Sequence, residues 1–312
     1  MRIFYLLFAL LMTLSANAKI VVGVVLPMEH AALQQIVEGL KSGLQTQARG
    51  EEIVIDVQNA AGDTMMMRSI IQAFQRRNVD LLMPVGLSAT QMTLSLERKR
   101  PVLGVAADIA DEQQQSHRNL TALNDEIPAT SMLEFMLQLR PSLKKITLIY
   151  SASDKVIPEV QALAAAVQAR GIALQKLMAT TMADLHPLVK QVDQDADGIL
   201  VLKDHLVVSG ITVVAQAARK LQVPLVTSDE GSLRNGGTVA LGVRERQIGE
   251  QAALMARQIL SGKSPHELPI YRFTIKECVV FINATQAAQV GLDVAATQTH
   301  LQQLGYAIEV IA

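Results

Sequence analysis

An α/β fold of two doubly wound, Rossmann-like lobes is what this sequence predicts, and three observations carry the prediction. Short apolar runs rich in β-branched residues alternate with longer amphipathic segments along the chain. The runs are continuous rather than apolar-polar alternating, as expected of parallel strands covered by helices on both faces. The pattern starts afresh at Lys145, and 312 residues, 50% of them hydrophobic, exceed a single domain of about 100 to 200 residues.

Taken in order, the chain begins with a leader over residues 1–18. Arg2 is its positive start, Ile3 to Leu14 its apolar stretch and Ala16-Asn17-Ala18 a small-x-small cleavage site. The apolar stretch is too short to span a hydrocarbon core of about 30 Å. The only cysteine, Cys278, lies far from the cleavage point, so neither a lipid anchor there nor a disulfide framework is expected. The mature protein is expected outside the cytoplasm, soluble.

Strands are predicted over Ile20 to Leu26, Ile53 to Val57, Leu81 to Val85 and Val102 to Val105, with helices over Ala31 to Ala48, Thr64 to Arg77 and Thr90 to Arg98. Asp63 fits the N-cap of the second helix, its carboxylate accepting first-turn N–H groups. The second lobe runs through strand Lys145 to Tyr150, helix Val160 to Ala169, strand Ile172 to Leu177, a helix near Asp184 to Val192, strand Gly198 to Leu202, helix Val208 to Leu221, and strands Val223 to Val226 and Thr238 to Leu241. A long helix, Gln247 to Leu260, follows and is stopped by Ser261-Gly262. Phe273 to Ile282 reads as a strand, Asn283 to Gln289 as a short helix, and Ala307 to Ile311 as a terminal strand.

Ligands of open parallel sheets bind beyond the carboxyl ends of the strands, which singles out a short set of loop residues. Glu29 and His30 follow the first strand and fit either a polar ligand or a solvated turn. Ser88, Ala89 and Thr90 could offer hydroxyls and amides to an anion, or simply start a helix. Asp108 stands in the loop after the fourth strand. Asp204 and His205 mirror the acid-histidine pair of the first lobe. Ser228 and Asp229 could bind an ammonium or hydroxyl, or form a turn. Arg244 could take a carboxylate bidentately, or it and Arg246 could pair with Glu245 or Glu250 on a helix surface.

No metal and no cofactor are expected: the remaining histidines show no ligand spacing, and Met65-Met66-Met67 reads as a packing stripe. A net charge of −1 gives no broad basic field, so neither nucleic acid nor an anionic membrane surface is an expected partner. Aromatic residues make up 3%, with no tryptophan, leaving few rings to stack on a ligand. No nucleophile elbow, Walker loop, zinc-protease motif or dinucleotide fingerprint occurs, and Cys278 within an apolar strand reads as an inert thiol. The chain is therefore not expected to be an enzyme.

The segments Glu29-His30-Ala-Ala-Leu, Gln58-Asn-Ala-Ala-Gly-Asp63, Ser228-Asp229, Leu241-Gly242 and Ile259-Leu-Ser-Gly-Lys-Ser-Pro resemble the ABC-transporter substrate-binding protein family of the tryptophan/tyrosine-binding type, from Lys19 to about Leu292. The resemblance implies a type I periplasmic binding protein fold with three hinge crossings, near Leu123-Asn124, Leu241-Gly242 and Pro269 to Arg272. Lobe 1 would then comprise 19–123 plus 242–270, and lobe 2 124–241 plus 271–312. It implies a monomer that closes over a small polar, amino-acid-like or anionic solute in an inter-lobe cleft and delivers it to an inner-membrane ABC permease. Three stretches depart from the family. Leu87-Ser88-Ala89-Thr90-Gln91 stands where members carry Thr-Pro-Ser-Ala-Gln, and Asp108-Ile-Ala-Asp111 near their Thr-Asp-Pro. Arg244-Glu245-Arg246 stands near their Asp-Tyr-Tyr. These departures shift the expected ligand toward more negative charge and leave, as the alternative, a sensory or adaptor module acting on a membrane sensor protein.

Overall fold

The computed structural model describes residues 19–45, 52–153 and 155–311; the leader expected over 1–18 lies outside them. Two compact units emerge: one runs up to Asn124 and includes Glu245–Tyr271, the other comprises Asp125–Arg244 and Arg272–Ala312. The chain thus passes from unit to unit three times. The second passage falls at Arg244-Glu245 rather than Leu241-Gly242, because Val239 to Gly242 are hydrogen-bonded into the second unit's sheet.

The first unit is built from β1 (Ile20–Leu26), α1 (Ala31–Gln45), β2 (Ile53–Asn59), α2 (Thr64–Arg76), β3 (Leu81–Pro84), α3 (Leu87–Leu96), β4 (Val102–Val105), α4 (Asp111–Ser116) and β5 (Leu120–Asn124). The six-stranded sheet has the order β11-β5-β4-β3-β1-β2 once β11 (Tyr271–Arg272) is added. Pairs β1–β2, β1–β3, β3–β4 and β4–β5 are all parallel. Burial follows directly from the apolar runs in β3 and β4, which are buried throughout, and the mixed strand β5 is buried throughout as well. Asp63 caps α2 as expected, its Oδ1 accepting from the amides of Met65 at 2.7 Å and Met66 at 3.1 Å. Of the methionine run only Met67 packs inward, while Met65 and Met66 are exposed, because consecutive helical residues lie about 100° apart.

The second unit contains α5 (Ala129–Leu139), β6 (Lys145–Ser151), α6 (Val156–Ala169), β7 (Ala173–Ala179), α7 (Leu185–Val189), β8 (Gly198–Val201), α8 (His205–Ser209), α9 (Ile211–Leu221), β9 (Leu225–Thr227), α10 (Glu230–Arg234) and β10 (Val239–Gly242). After α11 (Glu245–Leu260), which belongs to the first unit, the second is completed by β12 (Val279–Asn283), α12 (Ala284–Gln289), α13 (Val294–Gln303) and β13 (Ala307–Ile311). Its sheet order is β13-β12-β10-β9-β8-β6-β7, with β10–β12 the one antiparallel pair among those described.

Three expectations are corrected. The segment Val208 to Leu221 is two helices, split at Gly210, where an added Cβ would lie 2.3 Å from Leu185 Cδ1. Phe273 to Ile282 is not one strand: Thr274 and Glu277 form a reciprocal capping box around a single 3₁₀ turn, and β12 begins only at Val279. Cys278 therefore precedes the strand instead of lying within it. Its thiol is 2% exposed, donates to the Thr274 carbonyl at 3.4 Å, and is pushed up to about 12, chiefly by burial. It is expected to resist an aqueous thiol reagent in the native protein at pH 8 and to react once guanidinium unfolds the chain. Rapid native labelling would show this burial to be wrong.

Candidate functional site

The carboxyl-end loops of the first unit stand in the order of their strands: β5, β4, β3, β1. At β1, the Ala60 amide donates to Leu26 O at 2.9 Å and the Gly62 amide to Pro27 O at 2.8 Å, fastening the β1 loop to the β2 loop. Glu29 and His30 beyond it are exposed. The Ala32 amide donates to His30 Nδ1 at 3.2 Å, and Gln34 Nε2 lies 3.5 Å from Glu29 Oε1.

At β3 the chain turns into α3 through Gly86, whose φ of 85° is a left-handed value that suits glycine. Glycine has no side chain to cap a helix, and no side-chain cap hydrogen bond is made at α3. The first-turn amides of Leu87, Ser88 and Ala89 are therefore left for water or a ligand. Ser88 is exposed at this turn. Ala89 and Thr90 point elsewhere. Ala89 packs in the core, and Thr90, also fully buried, donates its hydroxyl to Gly86 O at 2.8 Å. Gly104 of β4 makes room for Thr90, since a Cβ there would come within 2.9 Å of its Cγ2.

After β4, Ala106 takes a left-handed φ of 51°. The loop then places Ala107 and Ile109 in the core and leaves Asp108 half-buried. Asn124, at the end of the adjacent β5, donates its Nδ2 to Asp108 Oδ1 at 2.7 Å. Asn124 was not among the sequence candidates, because the mixed segment Leu120 to Asn124 does not read as a strand.

In the second unit the loops follow β10, β9, β8 and β6. Asp204 is 2% exposed and already engaged: Oδ1 accepts from the Leu206 amide at 3.1 Å and the Val207 amide at 3.4 Å, capping α8, while Oδ2 accepts from the Ser151 amide. It thus fastens the β8 loop to the end of β6. Asp229 caps α10, accepting from the Ser232 amide and hydroxyl, each at 2.7 Å. Ser228 is different. Its residue is 4% exposed, and its Oγ is a buried polar atom without a hydrogen-bond partner among the described residues. Such a group costs about 1 to 3 kcal/mol unless a ligand or water meets it.

Arg244 does not face Glu245 or Glu250. Its guanidinium pairs with Glu309 of the edge strand β13 and stands 5.6 Å over the ring of Phe281 on β12, the strand between β13 and β10. Arg246 pairs with Glu250 at 3.1 Å, one turn along α11. Two further ion pairs join sequence-distant residues: buried Asp125 with Lys203, and Glu126 with Lys155. Lys203 and Lys155 stand in loops after β8 and β6, but their partners follow β5, so their pairing depends on the chain crossing there.

A model of the family described as ABC transporter substrate binding protein matches residues 21–301. An uncharacterized protein of Rickettsia prowazekii (strain Madrid E) is 37% identical over 287 residues, covering 90% of this chain and 89% of that protein. A tyrosine-binding protein of Clostridioides difficile (strain R20291) is 24% identical over 273 residues, 84% of this chain and 78% of its own. Among solved structures, the ABC domain in complex with L-Trp from Streptococcus pneumonia has a TM-score of 0.77 at 21% identity, covering 94% of this chain and 100% of that one. Two largely parallel sheets joined by three chain passages agree with these structures in giving the type I periplasmic binding protein fold. The match runs through nearly every described element, and the chain belongs to the ABC transporter substrate-binding protein family.

Proposed function

We propose that this chain is the periplasmic solute-binding component of an ABC importer, and that its solute is a small amino-acid-like molecule passed on to an inner-membrane permease. The observation that carries the reading is the uncapped start of α3. Three amides there point along the positive end of the helix dipole, an arrangement that suits a carboxylate. Hydrogen bonds to a charged group of this kind are worth about 1.5 to 3 kcal/mol. Asp108 supplies a half-buried carboxylate for an ammonium, oriented by Asn124, and the Ser228 hydroxyl supplies a polar group in the other unit. Two similar proteins, a tyrosine-binding protein and an ABC domain in complex with L-Trp, take ligands of the same class. The departure at Arg244 to Arg246 no longer argues for an anionic ligand, because both cations are paired within their own units.

Calorimetric titration with the amino acids is expected to find at least one that binds and raises the melting temperature, since a ligand of the folded state adds RT ln(1 + [L]/Kd). Ser88→Asp would place a competing carboxylate at the α3 amides. It is expected to weaken binding at least about tenfold while leaving the melting temperature of the free protein unchanged or raised. Unaltered affinity in Ser88→Asp would remove α3 from the site, and a panel without any binder would overturn the solute class.

A further inference from the structure

The end of the first sheet opposite the solute loops carries a separate concentration of charge. Arg98 and Lys99 precede β4, Arg118 and Asn119 precede β5, and Ser264-Pro265 follow α11. Together with Pro101 these residues line a cavity of about 190 Å³. Arg98, Lys99 and Arg118 are exposed, and none of their side chains is in an ion pair or a hydrogen bond among the described residues. Three cations without a partner around one concavity, in a chain of net charge −1, set up a local positive field that attracts an anion.

The surrounding groups sharpen the point. Glu97, a buried acid adjacent in sequence to Arg98, is consumed locally: its Oε1 accepts the amides of Arg98, Lys99 and Arg100, and its Oε2 accepts from Arg100 Nη1 at 2.9 Å. Its charge is therefore balanced by Arg100, and the side chains of Arg98 and Lys99 are left over. Asn119 is likewise occupied, donating to Arg100 O at 2.9 Å. Ser264 accepts from the Glu267 amide within a capping box, which leaves its hydroxyl proton available to an incoming oxygen. Glu267 of the same turn accepts from the Ser264 amide at 3.3 Å and is not one of the residues that line the cavity.

We infer that this cavity is a phosphate-class anion site, in which Arg98, Lys99 and Arg118 hold the phosphoryl oxygens and Ser264 donates a further hydrogen bond. It is separate from the solute loops and does not depend on the proposed function. A guanidinium matches two phosphoryl oxygens bidentately, and a lysine adds a point charge. The same chemistry serves a free phosphate or phosphomonoester and the headgroup of an anionic phospholipid.

The test compares the intact protein with the triple variant Arg98→Gln, Lys99→Gln, Arg118→Gln. A control triple, Lys41→Gln, Arg76→Gln, Lys220→Gln, removes the same charge from exposed sites elsewhere. Inorganic phosphate is titrated by calorimetry and thermal shift against chloride at matched ionic strength, and flotation is measured on vesicles of phosphatidylglycerol with phosphatidylcholine against phosphatidylcholine alone. Phosphate binding weakened at least about tenfold in the site triple and kept in the control triple identifies a soluble phosphate ligand. Flotation with phosphatidylglycerol that only the site triple loses, without a phosphate response, identifies a lipid headgroup. If neither assay separates the site triple from the control triple, the site does not exist. Because all three residues are exposed, the triple variant is expected to melt like the parent in chloride, so a lost response reports the site and not the fold.

Discussion

Replacing Gly249 with valine is expected to unfold the first unit. α1 and α11 meet there backbone to backbone: a Cβ on Gly249 would lie 1.9 Å from the carbonyl oxygen of Ile36 and 2.6 Å from the amide nitrogen of Leu40. The clash is reciprocal, since a Cβ on Gly39 would sit 2.0 Å from the Arg246 carbonyl oxygen, and one on Gly43 would sit 2.5 Å from Ala253 Cβ. The four-residue spacings Gly39 to Gly43 and Gly249 to Ala253 put these small residues on one face of each helix. Ile36, Leu40, Leu44, Ile248, Ala252 and Ala256 around them are all buried. The obstacle to a side chain is backbone, which cannot rotate away, so the two helices would have to separate and open that core. The expected loss is about 4 kcal/mol or more, beyond the usual range for a single substitution. Thermal melts followed by circular dichroism check this, with Leu254→Ala on the 51% exposed face of α11 as a control expected within about 0.5 kcal/mol of the parent. A Gly249→Val protein as stable as that control would mean that the helices are not packed this closely.

Glu97→Gln is the second large effect, and its signature is pH. The side chain is buried at the start of the loop leading to β4. Burial alone would raise its pKa, but the amides of Lys99 and Arg100, the Gln75 amide group and the Arg100 guanidinium together outweigh burial and hold it at about 2, from an ordinary 4.5. A carboxyl whose folded value is depressed contributes stability in full above its unfolded value. That contribution shrinks as pH falls from 4.5 toward 2, where the folded protein must also take up the proton. Glutamine keeps the shape and loses the charge that five donors address, so the variant is expected to lose about 2 to 3 kcal/mol at pH 7. Urea unfolding at pH 7, 5 and 3 should show the gap to the parent intact at the first two and narrowed at the third. A gap that stays constant down to pH 3 would assign the stability to packing instead of to ionised Glu97.

What was legible in the sequence followed from local pattern. β1 and β4 are continuous apolar runs, and their burial needs only that helices flank the sheet. Asp63 declares itself by its place before an amphipathic run. β5 is hidden for a physical reason: its Thr121 and Asn124 are polar, and they are buried because partners arrive from elsewhere. Thr121 Oγ1 donates to the Leu268 carbonyl at 3.0 Å, from a segment 147 residues on, and Asn124 donates to Asp108. α5 carries a visible apolar stripe at Met132, Leu133, Phe135 and Met136, yet its start at Pro128 lacks a side-chain cap to mark it.

The candidate site divides in the same way. Position after a strand could be read locally, so Glu29, Ser88, Asp108, Asp204, Ser228 and Asp229 all stand at carboxyl-end loops. Occupancy could not. Asp204 is spent on the Ser151 amide, 53 residues away, and Arg244 on Glu309, 65 residues away, whereas the Ser228 hydroxyl is buried with no partner among the described residues. The sequence by itself determined the fold class, the family and the loops in which chemistry can occur, because hydrophobic period and turn residues act over a few positions. Which polar groups remain available to a ligand was decided by the tertiary structure, since a hydrogen bond requires two groups within about 3 Å, and that distance is set by how the strands are ordered in the sheet and not by how the residues are ordered in the chain.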